Sequence, residues 1–385
     1  MSEQKPERKT KPRILSGMRP TGRLHLGNLV GALQNWIALQ DTYESYHCVV
    51  DWHMLTTEYA NTGELQDNIW QMTADWLAAG LDPVKAAFFI QSQIIEHAEL
   101  HLLLSMLTPL GWLERVPTYK EQLENIKDRD IHTYGFLGYP VLQAADILIY
   151  KANAVPVGED QAPHIELARE IARRFNLAYG KAHGSTLTMV DGRTYEGAPL
   201  EVKAEFVNRG LVTVEPLFPE PQTLLTPTPR LPGTDGRKMS KSYGNAIYLS
   251  DTPAEVSKKV AGMMTDPARK RRNDPGDPDV CPVFDHHKVF SPQPVIDRVN
   301  AECRTAAIGC VDCKKLLAAA LNERLAPIQE RRRVYEQHPG QVWDVLDEGT
   351  ARARKVAQAT MSEVRQAMGL ARPVREGLAS LPHST

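Results

Sequence analysis

Apolar residues recur along this chain in two rhythms, one of strands and one of helices. Ile14 and Leu15 make a short apolar run that enters a loop holding Gly17, Pro20 and Gly22. Beyond it Leu26, Leu29, Val30, Leu33, Trp36 and Ile37 recur at helical spacing. Residues 46–50 (Tyr46, His47, Cys48, Val49, Val50) predict a buried strand that ends at Asp51-Trp52-His53. An amphipathic helix follows over 64–79, stopped by Gly80 and Pro83. Ala86–Ile90 reads as a third strand, ending at Gln91-Ser92-Gln93, and helices dominate from 96 to 150. Ala154–Val157 then predicts a strand, with Gly158 to Gln161 at the head of a helix carrying Ile165, Ala168, Ile171, Ala172 and Phe175. This alternation predicts an α/β fold with a Rossmann-like parallel sheet.

The later chain changes character. Residues 177–232 are rich in Gly, Pro and Thr without a strong period, and predict a hairpin or two around Gly192, Gly197 and Gly210. Helices return at 253–264, at 314–336 with a break at Pro327, and at 341–368, so a C-terminal all-helical domain is expected. No internal repeat is present.

With 385 residues, 42% of them hydrophobic and 24% charged, the chain has the make-up of about two soluble domains. No apolar run approaches the ~18 residues of a membrane span, so no membrane association is expected. The charged amino terminus lacks the apolar stretch of a signal peptide, which points to the cytoplasm. A net charge of −2 does not advertise a nucleic-acid partner. Arg269-Lys270-Arg271-Arg272, Lys314-Lys315 and Arg331-Arg332-Arg333 are local candidates for such a footprint, or simply solvated faces. The absence of G-x-G-x-x-G speaks against a nicotinamide dinucleotide.

Candidate chemistry begins at His25 and Asn28, which the pattern puts at the mouth of a helix just beyond a strand. Open parallel sheets bind ligands there, and helix N–H groups favour phosphate. Gly27 would leave room for a flat ring against the backbone. A histidine capping an ordinary helix would read the same way. Lys238-Met239-Ser240-Lys241-Ser242 lies between Gly236 and Gly244, as a mobile basic loop or an ordinary surface one. Glu159 and Asp160 would either cap the next helix or hold ribose hydroxyls. Asp146 sits in the apolar stretch Tyr139–Tyr150, on a face with Leu142, Ile149 and Tyr150. A buried carboxylate needs a donor, either a partner elsewhere in the fold such as an Arg, or a ligand N–H or O–H.

Of five cysteines, Cys48 falls alone in a predicted core strand. Cys281, Cys303, Cys310 and Cys313 are spaced C-x21-C-x6-C-x2-C, which in a cytoplasmic chain argues for metal over disulfides. Zinc sites often show two close pairs, and there is one here; an iron–sulfur cluster tolerates uneven spacing. Cluster, zinc and free thiols all remain open on spacing alone.

His25-Leu26-Gly27-Asn28 resembles the HIGH signature of class I aminoacyl-tRNA synthetases, and Lys238–Ser242 reads as their KMSKS signature. Leu142-Gln143-Ala144-Ala145-Asp146-Ile147-Leu148, Val157-Gly158-Glu159-Asp160-Gln161 and His164-Ile165-Glu166-Leu167 make the resemblance closest to the bacterial tryptophanyl branch, over roughly residues 12–370. The tyrosyl branch usually carries a different sequence before its Asp-Gln. The resemblance implies ATP-dependent activation of L-tryptophan and transfer to the terminal ribose of tRNA(Trp), by a homodimer. It implies a charged tail over 1–11, a catalytic domain over 12–250 with a helical insertion, a helical anticodon-binding domain over 251–372, and a loose tail over 373–385.

The same resemblance assigns His25, Asn28, Lys238, Lys241 and Ser242 to catalysis. Arg19, Pro20, Thr21, Gly27, Gly158, Glu159, Asp160, Met239 and Ser240 would complete the ATP site. Asp146 would accept from the indole N–H, with Gln143, Gln161 and His53 around the amino acid. Mg²⁺ would ride on the triphosphate, held largely by phosphate oxygens and water and not by a protein cage. The four cysteines match a subset of the family that carries a 4Fe–4S cluster, with Zn²⁺ as the alternative. Many members have Gln where this chain has Arg19, and residues 177–217 are longer than the family pattern. A tyrosyl enzyme, a small-molecule nucleotidyltransferase and a non-catalytic tRNA-binding paralogue are the competing readings.

Overall fold

The computed structural model describes residues 11–117, 119–121, 130–184, 188–189, 191–225 and 231–371. All but Lys11 of the expected 1–11 tail, and the whole of the 373–385 tail, lie outside them. Among the described residues the strands are β1 (Arg13–Met18), β2 (Glu44–Val49), β3 (Ala86–Ile90), β4 (Ala154–Val157), β5 (Lys181–His183), β6 (Thr213–Glu215) and β7 (Gln222–Leu225). Helix α1 (Leu26–Asn28) runs through a π turn (Leu29–Leu33) into α2 (Gln34–Leu39). There follow α3 (Asp51–Glu58), α4 (Leu65–Ala79), α5 (Glu96–Ser105), α6 (Leu110–Leu113), α7 (Tyr134–Ile149), α8 (Ala162–Tyr179) and α9 (Leu200–Asn208). The carboxyl-terminal set is α10 (Pro253–Ala261), α11 (Pro282–Phe290), α12 (Gln293–Arg304), α13 (Cys310–Gln337) and α14 (Gly340–Ala367).

Two compact units divide these elements. One is formed by the residues up to Gln93, Ala154–Ala162 and Thr223–Arg352. Its sheet has the order β3-β2-β1-β4-β7, and the β1–β2, β2–β3 and β1–β4 pairs are all parallel. The strand order reverses between β1 and β4, the place where such sheets open a crevice. One continuous core joins the sheet to the carboxyl-terminal helices: Val49, Phe88, Met72 and Trp76 share it with Val256, Leu317, Leu321, Leu325 and Leu346. Each such side chain contributes roughly 1.5–3 kcal/mol on full burial. Gly80 ends α4 in the left-handed region at φ 119°, where its N–H returns to Leu77 and Trp76. His47, inside β2, is stacked between Trp36 and Phe88 at 4.8 and 5.3 Å. Burial lowers its pKa to about 3, so the ring behaves as a neutral aromatic.

The all-helical expectation for the carboxyl-terminal part holds, with two corrections. Pro327 does not break its helix, because α13 runs unbroken from Cys310 to Gln337. Leu325 and Ile328 on either side are buried, and that packing outweighs the N–H that proline lacks. The short helices α11 and α12 each have a proline within the first two positions, a start signal that periodicity alone did not pick out.

The second unit comprises Ile94–Asn153, Pro163–Gln222 and the residues from Ala353 on. Here α5 packs on α7, and Thr133 caps the latter by accepting from Phe136 N–H. Within 177–217 the expected turn at Gly192 is present, with Met189 N–H bonded to Arg193 at 2.7 Å. The rest is an antiparallel β5–β6 ribbon and α9 around a small core of Met189, Tyr195, Phe206 and Val212. Asn176 fastens it, since Oδ1 accepts from Leu217 and Phe218 N–H at 2.9 and 3.0 Å.

Candidate active site

In the first unit the parallel strands deliver four loops to one edge: Arg19–His25 after β1, Asp51–His53 after β2, Gln91–Gln93 after β3 and Gly158–Gln161 after β4. Asp51 ties two of them together, its Oδ1 accepting from the N–H groups of Trp52 and Ser92 at 3.0 Å each. The candidate residues after β1, β2 and β4 therefore lie at the edge where such a fold puts ligands.

His25 heads α1 with a reciprocal cap. Its Nδ1 accepts from Asn28 N–H at 3.3 Å, while His25 N–H is bonded to Asn28 Oδ1 at 3.1 Å. The ring is the nearest neighbour that a Cβ at Gly27 would meet, at 3.0 Å. Gly27 thus makes room for the imidazole of His25. Burial, then the charges of Lys241 and Lys238, lower the His25 pKa to about 4. The ring is therefore neutral near pH 7. With Nδ1 accepting, its proton sits on Nε2, which is a donor.

Direct contacts bring the two signatures together. Lys241 Nζ donates to the carbonyl of Thr21, 220 residues away in sequence, and to Thr21 Oγ1 at 3.2 Å. Burial lowers its pKa to about 8, opposed by Asp75 and assisted by Arg23. A β-bridge joins His25 to Tyr248, with Leu26 N–H on Ile247 and Leu249 N–H on Leu24. Asn245 is the knot of the second loop: Oδ1 accepts from Ser240 N–H at 2.8 Å and Nδ2 donates to Asp235 and to the Lys238 carbonyl. Met239 is buried in the core and anchors the loop, so its side chain does not belong to an ATP surface. Lys238 and Ser242 are exposed. Arg19 is tied to α3 through Met54 O at 3.3 Å and Thr57 Oγ1 at 2.5 Å, and Pro20 is buried beside it. After β4, Gly158 leads into a 3-10 turn Glu159–Gln161, in which Gln161 Nε2 donates to Asp160 at 3.0 Å. His53 lies in the first turn of α3.

Asp146 and Gln143 stand on α7 in the second unit. The buried Asp146 has a partner in His97, whose Nδ1 lies 2.7 Å from Asp146 Oδ1. His97 Nε2 is 2.7 Å from the hydroxyl of Tyr150. A carboxylate only accepts, so Nδ1 donates to Asp146 and Nε2 accepts from the phenol. His97 was missed in the sequence, where an isolated His in an apolar helix is an ordinary feature.

Cys281, Cys303, Cys310 and Cys313, none of them in a disulfide, lie at the N-terminus of α11, the end of α12 and the first turn of α13. Burial, then the neighbouring Cys281, Cys303 and Cys310, push the Cys313 thiol up to about 12. Among the described residues no three His, Cys, Asp or Glu side chains are arranged to hold a metal ion. Two of the basic runs are partly spent within the fold. Arg269 and Arg272 spend their guanidinium groups on the carbonyls of Ile308 and Ala306, stapling the loop before Cys310. Arg332 is buried against Asp75, and Arg331 donates to Ala78 O at 2.6 Å. Helical spacing turns one residue of that run inward.

A family model described as tRNA synthetases class I (W and Y) matches residues 7–326. The chain is 48% identical to a tryptophan–tRNA ligase of Ralstonia nicotianae, over 93% of this chain and 98% of that one. It is 50% identical to the tryptophan–tRNA ligase of Thermotoga maritima, over 93% and 99%. Among solved structures it is similar to tryptophanyl-tRNA synthetase from Campylobacter jejuni, complexed with ADP and tryptophan, with a TM-score of 0.76 at 29% identity, covering 93% of this chain and all of that one. With both signatures joined at the edge of a parallel sheet, and relatives this similar over nearly its whole length, the chain belongs to the tryptophan–tRNA ligases of the class I aminoacyl-tRNA synthetases.

Proposed function

We propose that this tryptophan–tRNA ligase activates its amino acid on the two joined signature loops. The carboxylate of tryptophan attacks the α-phosphorus of ATP, pyrophosphate leaves with the bonding electrons, and the acyl group of the adenylate then passes to the terminal ribose of tRNA(Trp). No protein nucleophile is needed, so the residues position the reactants and neutralise charge on phosphate oxygens. His25 donates from Nε2 and Asn28 holds that ring; Lys238, Lys241 and Ser242 face the departing pyrophosphate. Arg19, Pro20, Thr21 and Gly27 border the nucleotide, and Ser240 and Met239 serve it through backbone. Gly158, Glu159 and Asp160 take the ribose side. Mg²⁺ enters with ATP. The observation that carries this reading is the junction of the two loops, Lys241 on Thr21 and His25 bridged to Tyr248. His25→Ala and Lys241→Ala are expected to slow tryptophan-dependent ATP–pyrophosphate exchange by roughly 10²–10³. An unchanged rate in Lys241→Ala, or exchange driven by tyrosine, would overturn it.

Asp146 accepts from the indole N–H of the substrate, with Gln143, Gln161 and His53 around the rest of it. Its orientation by His97 supports the role, because a fixed buried acceptor rejects an amino acid that lacks the donor, by roughly 10⁴–10⁵. The finer reading, a 4Fe–4S cluster on Cys281, Cys303, Cys310 and Cys313 with Zn²⁺ as the alternative, rests on the donor set: Cys281, Cys303 and Cys310 lie within electrostatic reach of the Cys313 thiol. Such a cluster would stiffen the turn between α12 and α13 for anticodon recognition, within a tRNA-binding region over 251–372 that follows a catalytic region over 12–250. Anaerobic purification followed by iron, sulfide and zinc analysis tests it; about one zinc and no iron would favour the alternative metal. Exposed Ile95, Leu102, Met106, Leu110 and Tyr134 in the second unit support a homodimer, which sedimentation would test. Among the described residues no helix is long and apolar enough to cross a membrane, which is compatible with a cytoplasmic enzyme.

A further inference from the structure

Asp75 lies in the middle of α4, fully buried, in a stretch that otherwise packs Met72, Trp76 and Leu77 into the core. An ionised group in such a place needs a reason. Its two oxygens are divided. Oδ2 accepts from the backbone N–H of Leu24 at 2.6 Å, in the residue that precedes His25. Oδ1 is bonded to the guanidinium of Arg332, itself buried, which reaches in from α13. Arg332 is held in turn by Gln71, through its side-chain oxygen and its carbonyl at 3.2 Å, and by Glu336 at 2.9 Å. Asp75 also acts on Lys241, opposing the fall of its pKa.

Leu26 N–H and Leu24 O are spent on Ile247 and Leu249, and His25 N–H on Asn28; Asp75 takes the amide of Leu24, immediately before His25. Burial pushes the carboxyl up to about 6 against the pull of Arg332 and the Leu24 amide, which leaves it ionised near pH 7 and able to accept from both. Removing the guanidinium would leave a buried charge without its counter-ion, and the loop would be the softest place to relax.

We infer that Asp75 and Arg332 form a positioning pair for adenylate formation, through which the carboxyl-terminal helix α13 sets the loop that carries His25. The inference rests on the assignment of His25 and Lys241 to ATP. Neither member of the pair touches the reactants. Core stability alone would be a sufficient task for a buried ion pair of this kind, and the two roles predict different kinetics.

The test uses the full-length enzyme and tryptophan-dependent ATP–pyrophosphate exchange, with thermal unfolding measured alongside. Arg332→Met is expected to lower kcat or raise the KM for ATP by about ten- to a hundredfold, with the KM for tryptophan little changed. Arg332→Lys, which restores the charge, is expected to recover most of the loss. Should Arg332→Met fail to fold, Gln71→Ala, which loosens the guanidinium without removing it, is expected to shift the same constants in the same direction by a smaller factor. A folded Arg332→Met or Gln71→Ala with a lowered unfolding temperature and unaltered kcat and ATP KM would overturn the inference. His25→Ala in the same assay separates the failures: if it too leaves exchange unaltered, the ATP assignment falls; if it alone slows exchange, only the positioning role does.

Discussion

His97 and Asp146 share a 2.7 Å hydrogen bond with both side chains buried, and Tyr150 completes the line on the far ring nitrogen. The bond explains how an apolar helix tolerates a carboxylate at its centre. It also makes a prediction. His97→Leu removes a charged-group hydrogen bond and should cost about 1.5–3 kcal/mol in unfolding free energy. It should also raise the KM for tryptophan, whereas His97→Gln, which keeps a side-chain donor, should lose less on both counts. A stability loss with no change in the KM for tryptophan would separate Asp146 from the substrate.

Asn245 closes the second signature loop by engaging Ser240, Lys238 and Asp235 at once, and a Cβ at Gly233 would meet its amide nitrogen at 2.2 Å. Asn245→Ala is expected to cost about 1–3 kcal/mol and to loosen the loop without deleting a residue assigned to ATP. Exchange should slow, and limited proteolysis should cut within 236–244 sooner than in the parent enzyme.

Lys241 makes ATP binding depend on pH. Its pKa falls from 10.5 to about 8 in the free enzyme, chiefly through burial. Above that value the amine is neutral and no longer attracts phosphate, so the KM for ATP should rise as pH climbs through 8, far earlier than an exposed lysine would allow. Conversely, ATP binding near pH 8 should take up a proton, visible as a buffer-dependent heat in calorimetry. Lys241→Arg should remove the alkaline rise.

Gly349 shows the same logic applied to stability alone. A Cβ there would lie 1.9 Å from the backbone oxygen of Phe88, in a strand that cannot move without disturbing the sheet. Gly349→Ala should destabilise by roughly 1–3 kcal/mol or more, read from chemical unfolding. The kinetic constants of the folded fraction should stay as they were.

Much of the fold was open to sequence reasoning because its signals are local. Strands β1 to β4 and helix α4 follow from apolar rhythm and from stop signals such as Gly80, which demands the left-handed region. The two signatures were equally plain, since each is one short segment. Pro327 misled because a propensity rule was applied where tertiary packing overrode it. The run Arg331-Arg332-Arg333 misled because adjacency in sequence says nothing about which face of a helix a residue occupies.

By itself, the sequence determined the parallel α/β architecture, the helical carboxyl-terminal part and the two signature loops. What it could not determine was partnership across long separations. That Thr21 would receive Lys241, that Asp146 would receive His97, and that Asp75 would hold Leu24 with one oxygen and Arg332 with the other are decisions of the tertiary structure. The physical reason is common to all three. Buried or half-buried polar groups must find partners, and which partner is within reach depends on how the elements pack, not on the order in which they occur.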